Sequence, residues 1–151
     1  MSDTAVALVE RARQTGDWNQ LVQAIPYARF LGFSVEEQSG ALVGRMRFAE
    51  HLVGNPSLPA LHGGTLGALL ESAAQFELLY RAGSVVLPKT VTLTIDYLRS
   101  GKPVDTFVRA SIVKQGRRVS TVQAHAWQED EAKPIATATV HLLVLGAAAA
   151  P

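Results

Sequence analysis

The sequence contains no cysteine, which excludes disulfide bonds, thiolate metal sites and a cysteine nucleophile. It has no excess of one charge, because 14 basic and 13 acidic residues nearly cancel, and this argues against a protein that holds nucleic acid by bulk charge. No apolar run approaches the roughly 20 residues of a membrane helix, and Met1–Trp18 lacks the apolar core of a signal peptide. These absences favour a soluble, cytoplasmic protein without a nucleic-acid or membrane partner.

What the sequence does contain is typical of one globular domain. Its 151 residues are 48% hydrophobic and 18% charged, which excludes a disordered chain and suffices for a core. We expect a single domain over residues 1–151, with a helical extension over 1–25 and a frayed, low-complexity tail over 146–151. Three of the four histidines lack the spacing of metal ligands, so we expect no metal.

Hydrophobic periodicity divides the chain into short N-terminal helices, one long central helix and a run of strands. The expected elements are helices over 3–14 and 18–24, extended structure from Leu31, a strand over 41–48, a loop over 49–60, a helix from the His62 turn to Arg81, and strands over 89–98, 104–114, 117–128 and 134–145. Pro26 is expected to close the second helix. In the strand over 89–98, Val91, Leu93 and Ile95 are expected on one face and Thr90 on the other.

The connections and the central helix then predict the fold class. Short turns between consecutive strands favour antiparallel neighbours, and one face of the sheet must be covered. Only the central helix is long and apolar enough to cover it. The expected architecture is α+β, a long curved antiparallel sheet wrapped around one helix.

The segment Leu61–Leu79 carries the features that point to chemistry. A His-Gly-Gly turn opens an apolar helix in which Glu71 is the one ionisable residue between Thr65 and Phe76. Buried carboxylates are paired or used, and Glu71 shares a helix face with Gly64 and Ala68. The glycines leave the N–H groups at the positive end of the helix dipole open to another molecule. Such donors suit an oxygen that becomes negative in a transition state.

Four pieces of the sequence together resemble a known family. They are Ile25–Gly32, Asn55–Glu71, Tyr97–Arg99 and Gly116–Arg118, and the similarity extends over about residues 25–144. The chain resembles the hotdog fold, and more narrowly the PaaI-type acyl-CoA thioesterases. The resemblance implies hydrolysis of an acyl-CoA or similar acyl thioester to free acid and CoA, with CoA as part of the substrate and no separate cofactor.

The resemblance also assigns roles to individual residues. The Gly63 N–H is expected to bind the thioester oxygen, and Glu71 to act as general base or nucleophile where the family usually has aspartate. Asn55 is expected to position water or the carbonyl, His62 to cap or orient the turn, and Thr90 to face the acid. The candidates for substrate binding are Gly64, Gln75 and Thr90, and those for CoA phosphates are Arg99, Lys102, Arg117 and Arg118.

In this family the site forms between two subunits, which fits the spacing in the sequence. Gly63 and Glu71 lie roughly 12 Å apart along a helix that rises 1.5 Å per residue, too far for one small acyl group to touch both closely. A two-fold dimer brings the partner's acid near the glycine turn. We therefore expect a homodimer, and pairing of dimers into a homotetramer.

Plainer roles remain open for the same residues. Glu71 is alternatively a paired structural carboxylate, His62 a turn cap, and Asn55 the centre of an Asx turn before Pro56. Ser72 is a weak candidate for a nucleophile, because no histidine has a predictable place beside it. The residues considered for shaping an acyl pocket are Leu52, Val53, Phe76 and Leu79.

Two other functions remain open as alternatives. A hotdog dehydratase or hydratase would place a histidine upstream of the helix where Ser57 stands, with His51 too early and His62 too late. A non-catalytic acyl-CoA binding module is the other alternative. Hotdog regulators carry an added DNA-binding domain, and the roughly 25 residues before Pro26 are too short for one.

Overall fold

The computed structural model describes residues 3–144 of the chain. Three short helices, α1 (Asp3–Thr15), α2 (Asn19–Ala24) and α3 (Pro26–Leu31), precede the hairpin of β1 (Phe33–Gln38) and β2 (Ala41–Met46). A 3₁₀ turn (Glu50–Leu52) and two short strands, β3 (Val53–Asn55) and β4 (Ala60–Leu61), lead into the long helix α4 (Gly63–Arg81). The strands β5 (Lys89–Tyr97), β6 (Thr106–Gln115), β7 (Val119–Trp127) and β8 (Ala136–Leu143) follow.

Six of these strands form one antiparallel sheet in the order β1–β2–β6–β7–β8–β5. Alternate residues of the central strands are buried, as Val122 on β7 and Val140 on β8 illustrate. They pack against α4, whose Leu69, Leu70 and Leu78 are fully buried. The core therefore lies between one helix and one sheet face, which confirms the α+β arrangement predicted from the alternation and the single apolar helix.

The N-terminal helices fix the far end of α4. The Arg13 guanidinium on α1 donates to the carbonyl oxygen of Leu79 at 2.7 Å and also to that of Ser84. These acceptors lie at and beyond the C-terminal end of α4, where the carbonyls lack helical partners and the dipole favours a cation. One arginine thus ties α1 to the end of the helix opposite the glycine turn.

The second helix closes before Pro26 as predicted, and the structure adds a helix that the prediction missed. Helix α2 ends at Ala24 and Ile25 is extended, as a residue before proline tends to be, whereas Pro26 itself begins helix α3 at its first position. Proline suits that position because its missing N–H has no helical acceptor there. The helix ends at Gly32, with φ 66°, so extended structure begins at Phe33 and Leu31 is helical.

The position of β5 also differs from the expectation that consecutive strands are neighbours. β5 pairs with β8 at the edge of the sheet, whereas β6 pairs with β2 and β7. Residues 98–105 therefore cross past β8 and β7. Three strand spacings amount to about 14 Å, a distance that this segment spans easily.

A bulge in β5 overturns the predicted face of Thr90. The pairing with β8 shifts between Thr90 and Thr92, which leaves Val91 as the extra residue, 61% exposed. Thr90 lies opposite Leu142 and so faces α4, like Leu93 and Ile95.

Two further segments differ from the prediction or cannot be compared with it. In the predicted loop over 49–60, β3 and β4 pair as a small antiparallel ribbon. The predicted tail over 146–151 lies outside the described residues.

Candidate active site

The start of α4 is shaped by the residue that precedes it. His62 is the N-cap, and its Nδ1 accepts a hydrogen bond from the Gly64 N–H at 2.8 Å. Its carbonyl oxygen accepts from the Thr65 N–H at 3.0 Å and from the Thr65 hydroxyl at 2.6 Å. Within residues 3–144 the Gly63 N–H has no acceptor. His62 therefore has the capping role, and it leaves one donor of the first turn open.

The edge strand β5 approaches this helix start closely because glycines face it. The Tyr97 hydroxyl donates to the Gly63 carbonyl oxygen at 2.8 Å. A Cβ at Gly63 would lie 3.2 Å from the Tyr97 ring, and one at Gly67 would lie 2.8 Å from Ile95 Cδ1. Tyr97 and Leu61 are among the residues that line an open depression beside the Gly63 turn. Tyr97 was noted in the sequence only as part of the segment Tyr97–Arg99 that resembles the family. Its contact with the glycine turn was not predicted.

Glu71 lies on the same side of α4. Gly67 contacts Ile95, and Gln75 donates to the Pro88 carbonyl oxygen at 3.2 Å, so both neighbours of Glu71 one helical turn away face β5 and the segment before it. The Glu71 side chain is half-buried, and no hydrogen bond or ion pair involves its carboxylate within residues 3–144. A carboxylate in this position is open to a molecule outside the chain, which argues against the paired structural role.

Thr90 lies on the face of β5 that packs against α4. Along β5 the contacts with α4 run from Tyr97 at Gly63 to Ile95 at Gly67, and Pro88 meets Gln75 at the other end. Thr90 lies between Ile95 and Pro88, and its hydroxyl oxygen is buried without a hydrogen-bond partner in the described chain. An unpaired buried hydroxyl is costly, so the Thr90 oxygen, on the face of β5 toward α4, is a polar atom that lacks a hydrogen-bond partner in the described chain.

Asn55 ends β3 beside the helix start. Its side-chain oxygen accepts from the Ser57 N–H at 3.0 Å, which is the Asx turn considered from the sequence. The preceding Gly54 lies directly against His62. The loop before the helix is thus held against the glycine turn, with Asn55 exposed at its rim.

A family model of the acyl-CoA thioesterase N-terminal domain matches residues 55–143, more than half of the chain and the part that contains these features. The chain belongs to this acyl-CoA thioesterase family. No curated protein sequence matches it significantly. The PaaI-type resemblance noted in the sequence is thereby confirmed at the level of the family.

Solved structures place the thioesterase chain in the hotdog fold. A Chromobacterium violaceum protein is 36% identical, with TM-score 0.74 and coverage of 92% of this chain and 97% of that one. A phenylacetic acid degradation-related protein of Ralstonia eutropha is 23% identical, with TM-score 0.71 and coverage of 83% and 98%. A Bacillus halodurans protein solved with CoA is 23% identical, with TM-score 0.69 and coverage of 94% and 91%.

The four cations expected at CoA do not form one cluster in the described chain. Arg99 and Lys102 follow β5 and line a depression on the helix-start side, where Lys102 Nζ pairs with Glu129 at 3.0 Å. Arg117 and Arg118 are exposed in the turn between β6 and β7, at the other end of the sheet. Of the four, Arg99 borders the Gly63 turn, because it also lines the depression there.

Other candidates in the thioesterase chain have structural partners. The Ser72 hydroxyl donates to the Ala68 carbonyl oxygen at 2.8 Å, so the helix backbone already satisfies its hydrogen bond. Leu52, Phe76 and Leu79 are 0–2% exposed and belong to the packed core, so they do not line an open acyl pocket. In residues 3–144 no three histidine, cysteine or acidic side chains come together as a metal site, and no described helix is long and apolar enough to cross a membrane.

Proposed function

We propose that the protein hydrolyses an acyl-CoA, or a similar acyl thioester, to the free acid and CoA. The observation that carries the proposal is the unpartnered, half-buried Glu71 carboxylate on the helix whose Gly63 N–H also has no acceptor in the described chain. A donor and an acid left free in this way match the two demands of thioester hydrolysis, an oxyanion to stabilise and a water to activate.

Gly63 is proposed to polarise the thioester carbonyl. Its N–H points out of the first turn of α4, where the positive end of the helix dipole adds to the field. The negative charge that develops on the carbonyl oxygen in the transition state is stabilised more than the neutral ground state. One such donor contributes about 3–4 kcal/mol to lowering the barrier.

Glu71 is proposed to activate water as a general base. The carboxylate takes a proton from water, the new hydroxide adds to the carbonyl carbon, and the carbon–sulfur bond breaks. The departing thiolate regains the proton to give CoA, and the acyl group leaves as the acid. Thr90 is proposed to hold this water, because its buried hydroxyl lacks a partner, while Gly64, Gln75 and Asn55 border the substrate.

Direct attack by Glu71 is the alternative within the same function. The carboxylate then displaces the thiolate and forms an anhydride, which water cleaves. In a single turnover in ¹⁸O water, an enzyme oxygen in the product acid together with ¹⁸O in Glu71 can arise only from an anhydride that water cleaves at the Glu71 carbonyl. Base catalysis puts ¹⁸O into every product molecule and none into Glu71, but an anhydride cleaved at the acyl carbonyl does the same, so trapping of an acyl-enzyme by hydroxylamine is the second measurement that separates the routes.

The complete site is proposed to need two subunits. Eight residues of helix separate Gly63 from Glu71, which is about 12 Å, so the Gly63 donor of one subunit would act with the partner's Glu71. β5 is one of the two edge strands of the sheet, and on the other, β1, the Val35 N–H and carbonyl oxygen are bonded by the Asn19 side chain. Antiparallel pairing with a second β5 would continue the sheet and remove the β5 edge. The proposed assembly is a homodimer, which can pair again into a homotetramer.

Arg99 and Lys102 are proposed to meet the phosphates of CoA. Both are exposed and lie where the depression at the Gly63 turn continues over the β5–β6 connection. Arginine and lysine bind phosphate through charge-assisted hydrogen bonds. Arg117 and Arg118 lie at the other end of the sheet from the Gly63 turn, so the proposal for the phosphates concerns Arg99 and Lys102. No cofactor is proposed, since CoA is part of the substrate.

Thiol release measured over short-chain, long-chain and aromatic acyl-CoAs tests the proposal. Glu71→Gln keeps the shape of the side chain and removes the base, so kcat is expected to fall about 10²–10⁴-fold. Glu50→Gln is the matched control, because Glu50 is an exposed glutamate in the 3₁₀ turn. A Glu71→Gln rate equal to that of the wild type removes Glu71 from the chemistry.

The same assay separates the alternative functions. A dehydratase would remove water from a 3-hydroxyacyl thioester and release no thiol from it. A binding module would bind acyl-CoA, as calorimetry measures, without releasing thiol from any of the three substrate classes. Either result would overturn hydrolysis as the function.

A further inference from the structure

The peptide group between Gly63 and Gly64 is held by two side chains from different elements. Its N–H, on Gly64, donates to His62 Nδ1 at 2.8 Å, and its carbonyl oxygen, on Gly63, accepts from the Tyr97 hydroxyl at 2.8 Å. His62 precedes the helix, whereas Tyr97 is the last residue of β5. The two bonds fix the plane of this peptide from both ends.

The direction of the Gly63 N–H follows from that plane. Only the two backbone dihedrals of Gly63 separate its own N–H from the peptide that follows, and glycine restricts those dihedrals less than any other residue. The first residues of a helix also lack the backbone bonds that hold later turns. The two side-chain bonds therefore restrain the residue at which the backbone is intrinsically most free.

The contacts of Tyr97 hold the backbone at Gly63 and contribute little to the hydrophobic core. Its side chain is 54% exposed, so its packing covers only part of the ring. Yet the hydroxyl bonds to backbone, and the ring lies 3.2 Å from the position of a Gly63 Cβ. The absence of a side chain at Gly63 and Gly67 is what admits β5 to this distance.

We infer that Tyr97 is a positioning residue that directs the Gly63 N–H toward the substrate oxygen, an inference that rests on the proposed function. Stabilisation of an oxyanion depends on a donor that is already aimed before the charge appears. Tyr97 touches the backbone of the donor and does not replace it. Loss of its hydroxyl therefore weakens transition-state binding while the rest of the substrate binds as before.

The variant Tyr97→Phe removes the hydroxyl and keeps the ring. We expect kcat to fall about 3- to 10-fold, the effect of one hydrogen bond, with KM within twofold of the wild type and a melting temperature lowered by no more than about 4 °C. Tyr27→Phe is the control, since Tyr27 is 55% exposed and its ring stacks on Phe30 within α3. An unchanged kcat in Tyr97→Phe overturns the inference.

A spectroscopic measurement tests the same point independently of turnover. In the slow Glu71→Gln background, difference infrared spectra of a bound acyl-CoA report the thioester carbonyl stretch, which falls in frequency when a donor polarises the bond. Adding Tyr97→Phe is expected to move the band back toward that of the free thioester, and an unmoved band overturns the inference.

The outcomes distinguish the inference from the proposed function. If the wild type releases no thiol, both are overturned. If the wild type releases thiol and Tyr97→Phe behaves like it, only the inference is overturned.

Discussion

At the scale of single residues, the site depends on what is missing. Gly63 and Gly67 have no side chains, which lets Tyr97 and Ile95 reach α4, and Glu71 and Thr90 have polar atoms without partners in the described chain. A glycine and an acid in a helix were visible in the sequence. The hydrogen bond between the Tyr97 hydroxyl and Gly63 could not be predicted from the sequence. It joins residues 34 positions apart and depends on where β5 lies.

Two substitutions at Gly63 separate the donor from the space around it. Gly63→Pro removes the N–H, and proline is well tolerated at the first position of a helix. We expect kcat to fall about 10²–10³-fold, the loss seen when one oxyanion donor is removed. Gly63→Ala adds a Cβ at the same place near the Tyr97 ring but keeps the N–H, so most of kcat should remain.

Thiol-release kinetics and thermal unfolding of both variants check this prediction. If Gly63→Ala loses as much activity as Gly63→Pro, crowding against Tyr97 explains the effect and the N–H does not act as a donor. If Gly63→Pro keeps the activity of Gly63→Ala, the oxyanion is stabilised elsewhere.

At the scale of elements, periodicity predicted the central helix and the long strands, and the structure confirms them. The errors arose where a residue has two possible roles or where pairing is not local. Pro26 ends some segments and begins others, and only packing shows that it starts α3. The bulge at Val91 reverses the face of Thr90, and no alternation in the sequence reveals where a strand contains an extra residue.

The junction between β2 and β6 supplies a prediction about pH. The Phe48 N–H, which donates to Asp105 Oδ1 at 2.7 Å, holds the pKa of Asp105 below its ordinary value, with help from the Arg45 guanidinium and against partial burial. Since the folded state lowers this pKa, the bonds stabilise the fold above the ordinary value and their contribution is lost as pH falls through the lowered one.

Asp105→Asn should therefore unfold at a lower temperature than the wild type at pH 7, and the difference should shrink as the pH falls from about 5 toward 3. Melting temperatures across this range provide the measurement. Asp130→Asn, which removes an aspartate from the turn after β7, controls for the change in net charge. A difference that stays constant over the range would exclude Asp105 as the titrating group.

At the scale of the whole molecule, the described chain holds a donor and an acid that it does not bring together. Both lie on one rigid helix, so no loop movement within the chain can shorten the distance of about 12 Å between them. The free edge at β5 and the exposed Tyr97 lie on the side of the molecule where the donor opens. In the proposed dimer, a second copy that continues the sheet at this edge would supply the acid for this donor.

Mixed dimers test this division of the site. One subunit carries Glu71→Gln with Gly63 intact, and the other carries Gly63→Pro with Glu71 intact, so each variant alone has only defective sites. If the donor and the acid come from different subunits, a mixed dimer contains one intact site and one with both defects. Random exchange makes half of the dimers mixed, so thiol release should recover to about a quarter of the wild-type rate.

If both groups act within one chain, every site in the mixture keeps one defect and the rate stays at that of the separate variants. Purification through a tag on each subunit distinguishes this result from a failure of the subunits to exchange.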